Sequence, residues 1–397
     1  MSTRVRMLFS MFAAVPLAVA GGPLSAHAAA TPTSPPPLTV LTSANVPGNE
    51  DLFLTPTGDD TSYANGPEIV DGNGKVVWFH AVPQGEEAGD LQVQRYDGQP
   101  VLTWWQGTGF GGLSDGTDYI YNSHYQQIAA VHAGNGLTTD GHEFLITPWN
   151  TAIVLSFTTA TADLTSIGGP ADQTVVNGVV QEIDIRTGRV LWQWNSADHV
   201  PYAQSEQPLP ASASTPWDWF HINAVHFDTN GDLLIDARNT WTAYEVDRHS
   251  GSIVWQLGGK ASSFTLKAAP GQSLDDAGEI FAWQHDPEAI GHDEYTVFDD
   301  ESAGTAEYGV SRVVTVKLDR RTQVATLVKS VNQPEGLVAA SQGNAQTTPA
   351  GDLVVGWGAL PYVSEFSGSG QLLFNAEFPS GVNTYRAFTY PWKGAGS

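Results

Sequence analysis

The chain has 397 residues, 41 glycines, 24 prolines, no cysteine, and a net charge of −25 from 17 Lys+Arg against 42 Asp+Glu. That length nominally holds two or three domains or one large all-β unit; the missing thiols exclude disulfides, a cysteine nucleophile and a cysteine-ligated metal. The acidic balance repels phosphate backbones, so no nucleic-acid partner is expected, and an anionic small substrate has to be met by a few basic groups gathered in one pocket.

Residues 1–28, MSTRVRMLFSMFAAVPLAVAGGPLSAHA, have the form of a secretory signal peptide: Arg4 and Arg6, an apolar stretch over 7–20, and the small-x-small site Ala26-His27-Ala28. The apolar run is short, and no later segment reaches a transmembrane length, so a secreted or cell-envelope protein without stable membrane insertion is expected. Residues 29–59 read as a Pro/Thr-rich leader and first ordered segment.

From residue 60 to 392 a hairpin recurs. NGVVQEIDIRTGRVLWQWN (177–195) and TAYEVDRHSGSIVWQLGG (242–259) carry alternating apolar positions on both sides of a tight turn. Weaker copies are EIVDGNGKVVWFH (68–80), VTVKLDRRTQVATLVKS (314–330) and VSEFSGSGQLLFNAEF (363–378). HINAVHFDTNGDLLIDARN (221–239) adds two strands before one copy, so 221–257 makes four consecutive short strands. Repetition of a four-stranded unit is the sequence form of an all-β propeller. The hairpins mark about six blades, near 60–80, 88–130, 142–194, 221–257, 283–328 and 350–378, with insertions at 198–218 and 260–282. In the second blade, GTGFGGLSDGTDYIYN (107–122) has a long loop as its other reading, and TYRAFTYPW (384–392) is expected to supply a strand that closes the ring. Residues 393–397 form a tail, and a pair of β-sandwiches is the rival architecture.

Three histidines share a context, at or near the start of a strand after a turn or aromatic pair: His142 in DGHEFLI, His221 in DWFHINAV and His285 in FAWQHDPEA. If their blades are equivalent, all three face one end of the central channel; as single residues, each also reads as a hydrogen-bonded core histidine. Arg238 ends the strand DLLIDA. A guanidinium keeps its charge when buried, so it needs a carboxylate, for which Asp236, Asp228 and Asp247 are near in sequence, or it serves as a clamp for a tetrahedral anion. Neither HExxH nor HxH occurs, although His142-Glu143 and His285-Asp286 could combine in a metal site built from two blades. DDAGE (275–279) and DDES (299–302) share only acidity with calcium loops. The glycine-rich QGTGFGGLSDG (106–116) is weak evidence for phosphate binding.

The stretch WDWFHINAVHFDTNGDLLIDARNTWTAYEVDRHSGSIVWQLGGKASSF (217–264), with FAWQHD (281–286) and GWGALPYVSEFSGSGQLLFNAEFP (356–379), resembles the arylsulfotransferase family, the PAPS-independent arylsulfate sulfotransferases. The likeness runs from about residue 60 to 392 and implies a six-bladed propeller and ping-pong transfer without a cofactor. An aryl sulfate is the implied donor and a phenol the implied acceptor. By motif, His285 aligns with the histidine that is covalently sulfated, His221 with a sulfate-contacting histidine, Arg238 with the sulfate-binding arginine, and His142 with the remaining histidine. The well-studied bacterial members commonly have paired histidines where this chain has His142-Glu143. They also carry an N-terminal β-sandwich, for which 29–60 is too short, and a disulfide. The chain is therefore closer to the divergent actinobacterial and fungal-like branch. Trp219, Trp241 and Trp283 are expected walls for an aryl ring, with propeller packing as their other reading. A non-enzymatic secreted propeller that binds glycans or cell-surface components is the alternative function.

Overall fold

The structure is a computed structural model that describes residues 32–44, 50–59, 61–303 and 308–394. The expected signal peptide lies outside the described residues, as do the last three residues of the tail. Among the described residues, no helix is long and apolar enough to cross a membrane.

Six sheets make a six-bladed β-propeller. Blade 1 joins the chain ends: Asn383–Tyr390 pairs with Asp51–Thr57, followed by Glu68–Val70 and Val76–Phe79. Blade 2 runs through Glu87–Tyr96, Gln99–Thr108, Asp115–Tyr121 and Gln127–Val131. Its second and third strands pair in register from Leu102↔Tyr121 to Thr108↔Asp115, so the glycine-rich run is a short hairpin loop rather than a long one. Blade 3 takes Phe144–Ile146, Thr151–Ala162, Gln173–Asp184 and Arg189–Asn195, and blade 4 takes Ile222–Phe227, Leu233–Ala237, Thr242–Val246 and Ile253–Leu257. Blade 5 takes His285–Gly291, Glu294–Asp299, Arg312–Asp319 and Val324–Asn332, and blade 6 takes Asn344–Thr347, Leu353–Gly356, Tyr362–Phe366 and Leu372–Glu377.

Segments outside the repeat dock on blades as extra strands. Thr39–Ser43 adds antiparallel to the edge of blade 6. The two insertions contribute Trp217–Asp218, parallel to blade 3, and Thr265–Ala268, parallel to the last strand of blade 5. The leader and first ordered segment, 29–59, thus supplies two strands to two different blades, and its Asp51–Thr57 lies against the C-terminal strand.

A blade is apolar on both faces because it is sandwiched by its neighbours. In DLLIDA, Leu233 and Ile235 pack toward blade 3 while Leu234 packs toward blade 5, as the period of two requires. Six large clusters of buried apolar residues result, each straddling one pair of adjacent blades. Each fully buried Val, Leu, Ile or Phe contributes about 1.5–3 kcal/mol relative to exposure, which is how a chain without cross-links stays closed.

At the axis, the fully buried guanidinium of Arg386, on the first strand of blade 1, bridges other blades. Its Nη1 lies 3.1 Å from Asp90 Oδ1 in blade 2 and 2.8 Å from Glu143 Oε2 beside blade 3. Its Nη2 lies 3.4 Å from Asp286 Oδ1 in blade 5 and donates to the Asn223 carbonyl of blade 4 at 3.2 Å. Blade 6 joins through the Asn344 side chain, which bonds both the N–H and the carbonyl of Ala387 at 2.8 Å.

Removing one partner of such a buried set leaves carboxylates uncompensated, a loss of about 3–5 kcal/mol. Arg386→Met is therefore expected to lower the chemical-denaturation stability by about that amount, whereas Arg186→Met, at a guanidinium 74% exposed, changes it by less than about 0.5 kcal/mol. Equal stabilities for the two variants would refute the axial role.

Candidate active site

The strands nearest the axis begin irregularly. Register shifts fall between Gly89 and Gln92, Ile222 and Ala224, and His285 and Glu288. Left-handed non-glycine residues sit at the same places: Asp90 at φ 57°, His221 at 52°, Trp283 at 58° and Asp286 at 54°. Bulges and strained backbone re-aim side chains at strand ends, and they concentrate at functional sites.

All three histidines singled out in the sequence lie there, each held at Nδ1 by a carboxylate. His142 Nδ1 is 2.5 Å from Asp140 Oδ1, and that oxygen also accepts the His142 backbone N–H at 3.0 Å. Asp140 Oδ2 takes the Ser114 hydroxyl at 2.5 Å. Burial works to raise the Asp140 pKa, but the His142 charge and the hydrogen bonds from His142 and Ser114 outweigh it and hold the carboxyl below its usual range. His221 bonds Asp218 Oδ2 through Nδ1, and its backbone N–H donates to Asp218 Oδ1 at 3.1 Å. His285 Nδ1 is 2.7 Å from Asp300 Oδ2. The imidazoles of His142 and His221 are 5.1 Å apart, nearly perpendicular.

Such a bond fixes the tautomer and turns Nε2 outward. On His285, Nε2 accepts the backbone N–H of Gln342 at 3.2 Å, so Nδ1 carries the proton. Burial first, then the charges of Arg238, His142, His221 and Arg386, drives the His285 pKa well below 6.5, leaving a neutral ring with an unprotonated nitrogen.

Arg238 lacks the carboxylate contact the sequence made available. Asp236 accepts Gln284 Nε2 at 2.7 Å, Asp228 pairs with Arg320 at 3.1 Å, and Asp247 holds the turn at His249 and Ser250. Arg238 instead donates through Nη2 to the carbonyls of Ser302 at 3.3 Å and Ala340 at 3.1 Å, and through Nη1 to Asn239 Oδ1 at 3.2 Å. Its Nε is buried without a partner among the described residues. Burial lowers its pKa, against the raising charges of Asp300 and Asp218. The guanidinium is thus bonded to neutral oxygens, with no carboxylate in direct contact.

The acids next to two of the histidines go elsewhere. Glu143 and Asp286 turn into the Arg386 belt, where His226 Nε2 stands 2.9 Å from Asp286 Oδ1 and 3.4 Å from Glu143 Oε2. Burial opposes the charge on His226, but these two carboxylates push its pKa to about 10. Ligand atoms of Glu143, His226 and Asp286 lie within 4.8 Å of one another, which is metal-like spacing. Arg386 already binds the same two oxygens, so positive charge is supplied there by the protein itself. The composite metal site from His142-Glu143 and His285-Asp286 is thus split: the histidines face the mouth and the acids the belt.

Of the three tryptophans, Trp219 is fully buried among core side chains and donates to Asn177 Oδ1 at 2.9 Å, so propeller packing is its role. Trp241 and Trp283 pack on each other at 5.3 Å, nearly buried, with the Arg238 guanidinium 5.2 Å over the Trp283 ring. Asp140 and Asp218 were legible as Asp-x-His and Asp-x-x-His spacings, which fit a local side-chain contact. Asp300, His226 and Arg386 reach their partners across strands or blades and leave no local signal.

A family model described as arylsulfotransferase (ASST) matches residues 92–379. No curated protein matches the chain. Among solved structures, a protein of unknown function from Bacteroides caccae aligns at TM-score 0.51 and 11% identity, over 87% of this chain and all of that one. The periplasmic gluconolactonase PpgL of Pseudomonas aeruginosa aligns at TM-score 0.47 and 13% identity, over 86% of this chain and 99% of that one. At these identities, the first likeness speaks for the fold alone.

The protonation of His285 is measurable. An unfolded histidine takes its proton near pH 6.5, whereas the folded His285 takes it only at lower pH. The unfolded state therefore binds more protons as pH falls below 6.5, and this residue subtracts stability in that window. Histidine-selective NMR should find His285 neutral with its proton on Nδ1 at pH 6.5; a midpoint at or above 6.5 contradicts the structure.

Proposed function

Because the chain belongs to the arylsulfotransferase family, we propose that it moves a sulfuryl group from an aryl sulfate to a phenolic acceptor, with His285 Nε2 as the covalent relay. The observation that carries this reading is the set of three carboxylate-held histidines at the same end of the propeller as Arg238, a cation without a carboxylate in contact.

In the first half-reaction, Arg238 holds the negative sulfuryl oxygens, and the Nε2–H of His142 or His221, in the imidazolium form with Nδ1–H kept on its aspartate, shares them. Donors fixed in advance strengthen as charge moves in the transition state. The Nε2 lone pair of His285 gives up the Gln342 N–H and attacks sulfur. The S–O(aryl) bond breaks, its electron pair stays on the phenolate oxygen, and a proton from His142 or His221 neutralises it. Asp300 Oδ2 accepts the Nδ1–H and holds the His285 ring in place as positive charge develops on it. In the second half-reaction the same histidine removes the proton of an acceptor phenol, whose oxygen attacks sulfur; the N–S bond breaks and its pair returns to Nε2.

The scheme needs no nucleotide donor, which suits the export suggested by residues 1–28. Association of the site residues favours this reading over a glycan-binding propeller, for which they would be scattered and an aromatic platform exposed.

Purified protein is expected to release phenolate from a chromogenic aryl sulfate faster when a phenol is supplied, and to gain one sulfuryl mass on His285. His285→Asn should lose both, and Arg238→Lys, which loses the planar fork, should lower kcat/KM by about 10²–10³. Transfer by the wild type without modification of His285, together with an unimpaired and folded His285→Asn, would dismiss the relay. The neutral state of His285 also puts the acid limb of kcat/KM below pH 6.5; a limb above that value would assign it to another group.

A further inference from the structure

Two half-buried phenyl rings border the histidines. Phe110 is stacked on the His142 imidazole at 6.0 Å and 19° and meets Tyr385 edge-on at 4.7 Å. Phe157 stands 6.1 Å from His221 and 6.3 Å from His142. Both keep part of their surface, Phe157 while packing against the core between blades 3 and 4, whereas Trp219, Trp241 and Trp283 are buried.

Phe110 is carried by the glycine-rich loop of blade 2 and seated by glycines. Its neighbours Gly109 and Gly111 are left-handed, at φ 77° and 79°. Beneath the ring, a Cβ on Gly89 would come within 2.4 Å of it and one on Gly141 within 2.7 Å, so a side chain at either position displaces it. The Phe110 N–H donates to Glu87 Oε2 at 3.3 Å. Across the mouth, a Cβ on Gly111 would lie 3.9 Å from Gln342 Nε2, on the residue whose N–H caps His285. The loop therefore arches from the His142 side toward the segment covering His285.

We infer that Phe110 and Phe157 wall a single aryl slot, which takes the donor ring first and the acceptor ring second, and that the loop bearing Phe110 sets the size of ring admitted. This rests on the sulfotransfer reading for its order of events, but not for the slot. Ring–ring contact contributes about 0.5–1.5 kcal/mol beyond area burial. The tryptophans cannot supply it, because Arg238 lies over Trp283 and Trp241 packs on Trp283.

The test uses the full protein and benzenesulfonate, whose C–S bond does not transfer, with methanesulfonate as the control lacking a ring. Calorimetry should show Phe110→Ala and Phe157→Ala each weakening benzenesulfonate by about tenfold while leaving methanesulfonate unchanged. Gly141→Ala should act in the same direction by unseating Phe110. Phe110→Leu and Phe157→Leu keep most of the volume and guard against misfolding; partial losses are expected of them. In turnover, the alanine variants should raise KM for 4-nitrophenyl sulfate more than they lower kcat, and donor and phenol should inhibit competitively at high concentration. Wild-type protein that binds benzenesulfonate with this dependence but never transfers keeps the slot and ends the sulfotransfer reading. Transfer with KM and benzenesulfonate affinity untouched in both phenylalanine variants, or with the loss appearing in Trp283→Phe instead, overturns the slot.

Discussion

One buried guanidinium organises this propeller. Arg386 sits on the strand that closes the ring and binds groups from blades 2, 3, 4 and 5. A buried arginine is tolerable only when its charge is met, so Asp90, Glu143 and Asp286 are needed at the axis together, although Nε has no partner among the described residues. Two of those carboxylates immediately follow site histidines, His142 and His285. Fixing an acid into the belt fixes where the preceding imidazole begins, and Tyr385, the residue before Arg386, lies 5.9 Å from the His142 ring. Closure of the ring and alignment of the mouth are thus one event.

Above the belt, the chemistry follows from unequal pairing. Each histidine is given its own carboxylate through Nδ1, which orients the ring and leaves Nε2 for another partner. Arg238 has carbonyls instead. In a protein with a net charge of −25, Arg238 is thus a cation withheld from direct carboxylate contact. At His285, burial and surrounding positive charge deny the ring a second proton, so its Nε2 keeps a lone pair. The adjacent left-handed backbone is the local cost of presenting these groups together.

The sequence by itself determined the blade. Alternation about turns at Thr187-Gly188 and at 229–231, the four-strand unit at 221–257, and the closing strand near 384–392 are local patterns, and local hydrogen bonding and two-sided burial turn them into sheets. It also marked His142, His221 and His285 by their places at or just before strand starts, and the Asp140 and Asp218 contacts lie within two or three residues of two of them. Tertiary structure alone decided the rest. Asp300 meets His285 across a hairpin, Arg386 meets acids up to 296 positions away, and Phe110 reaches His142 only because two glycines leave room for it. The tryptophans make the same point in reverse: an aromatic in sequence looks equally suited to core or cavity, and its neighbours in space decide which face stays open. Pattern is fixed by bonds along the chain, whereas the site is fixed by which blades the closed ring sets side by side.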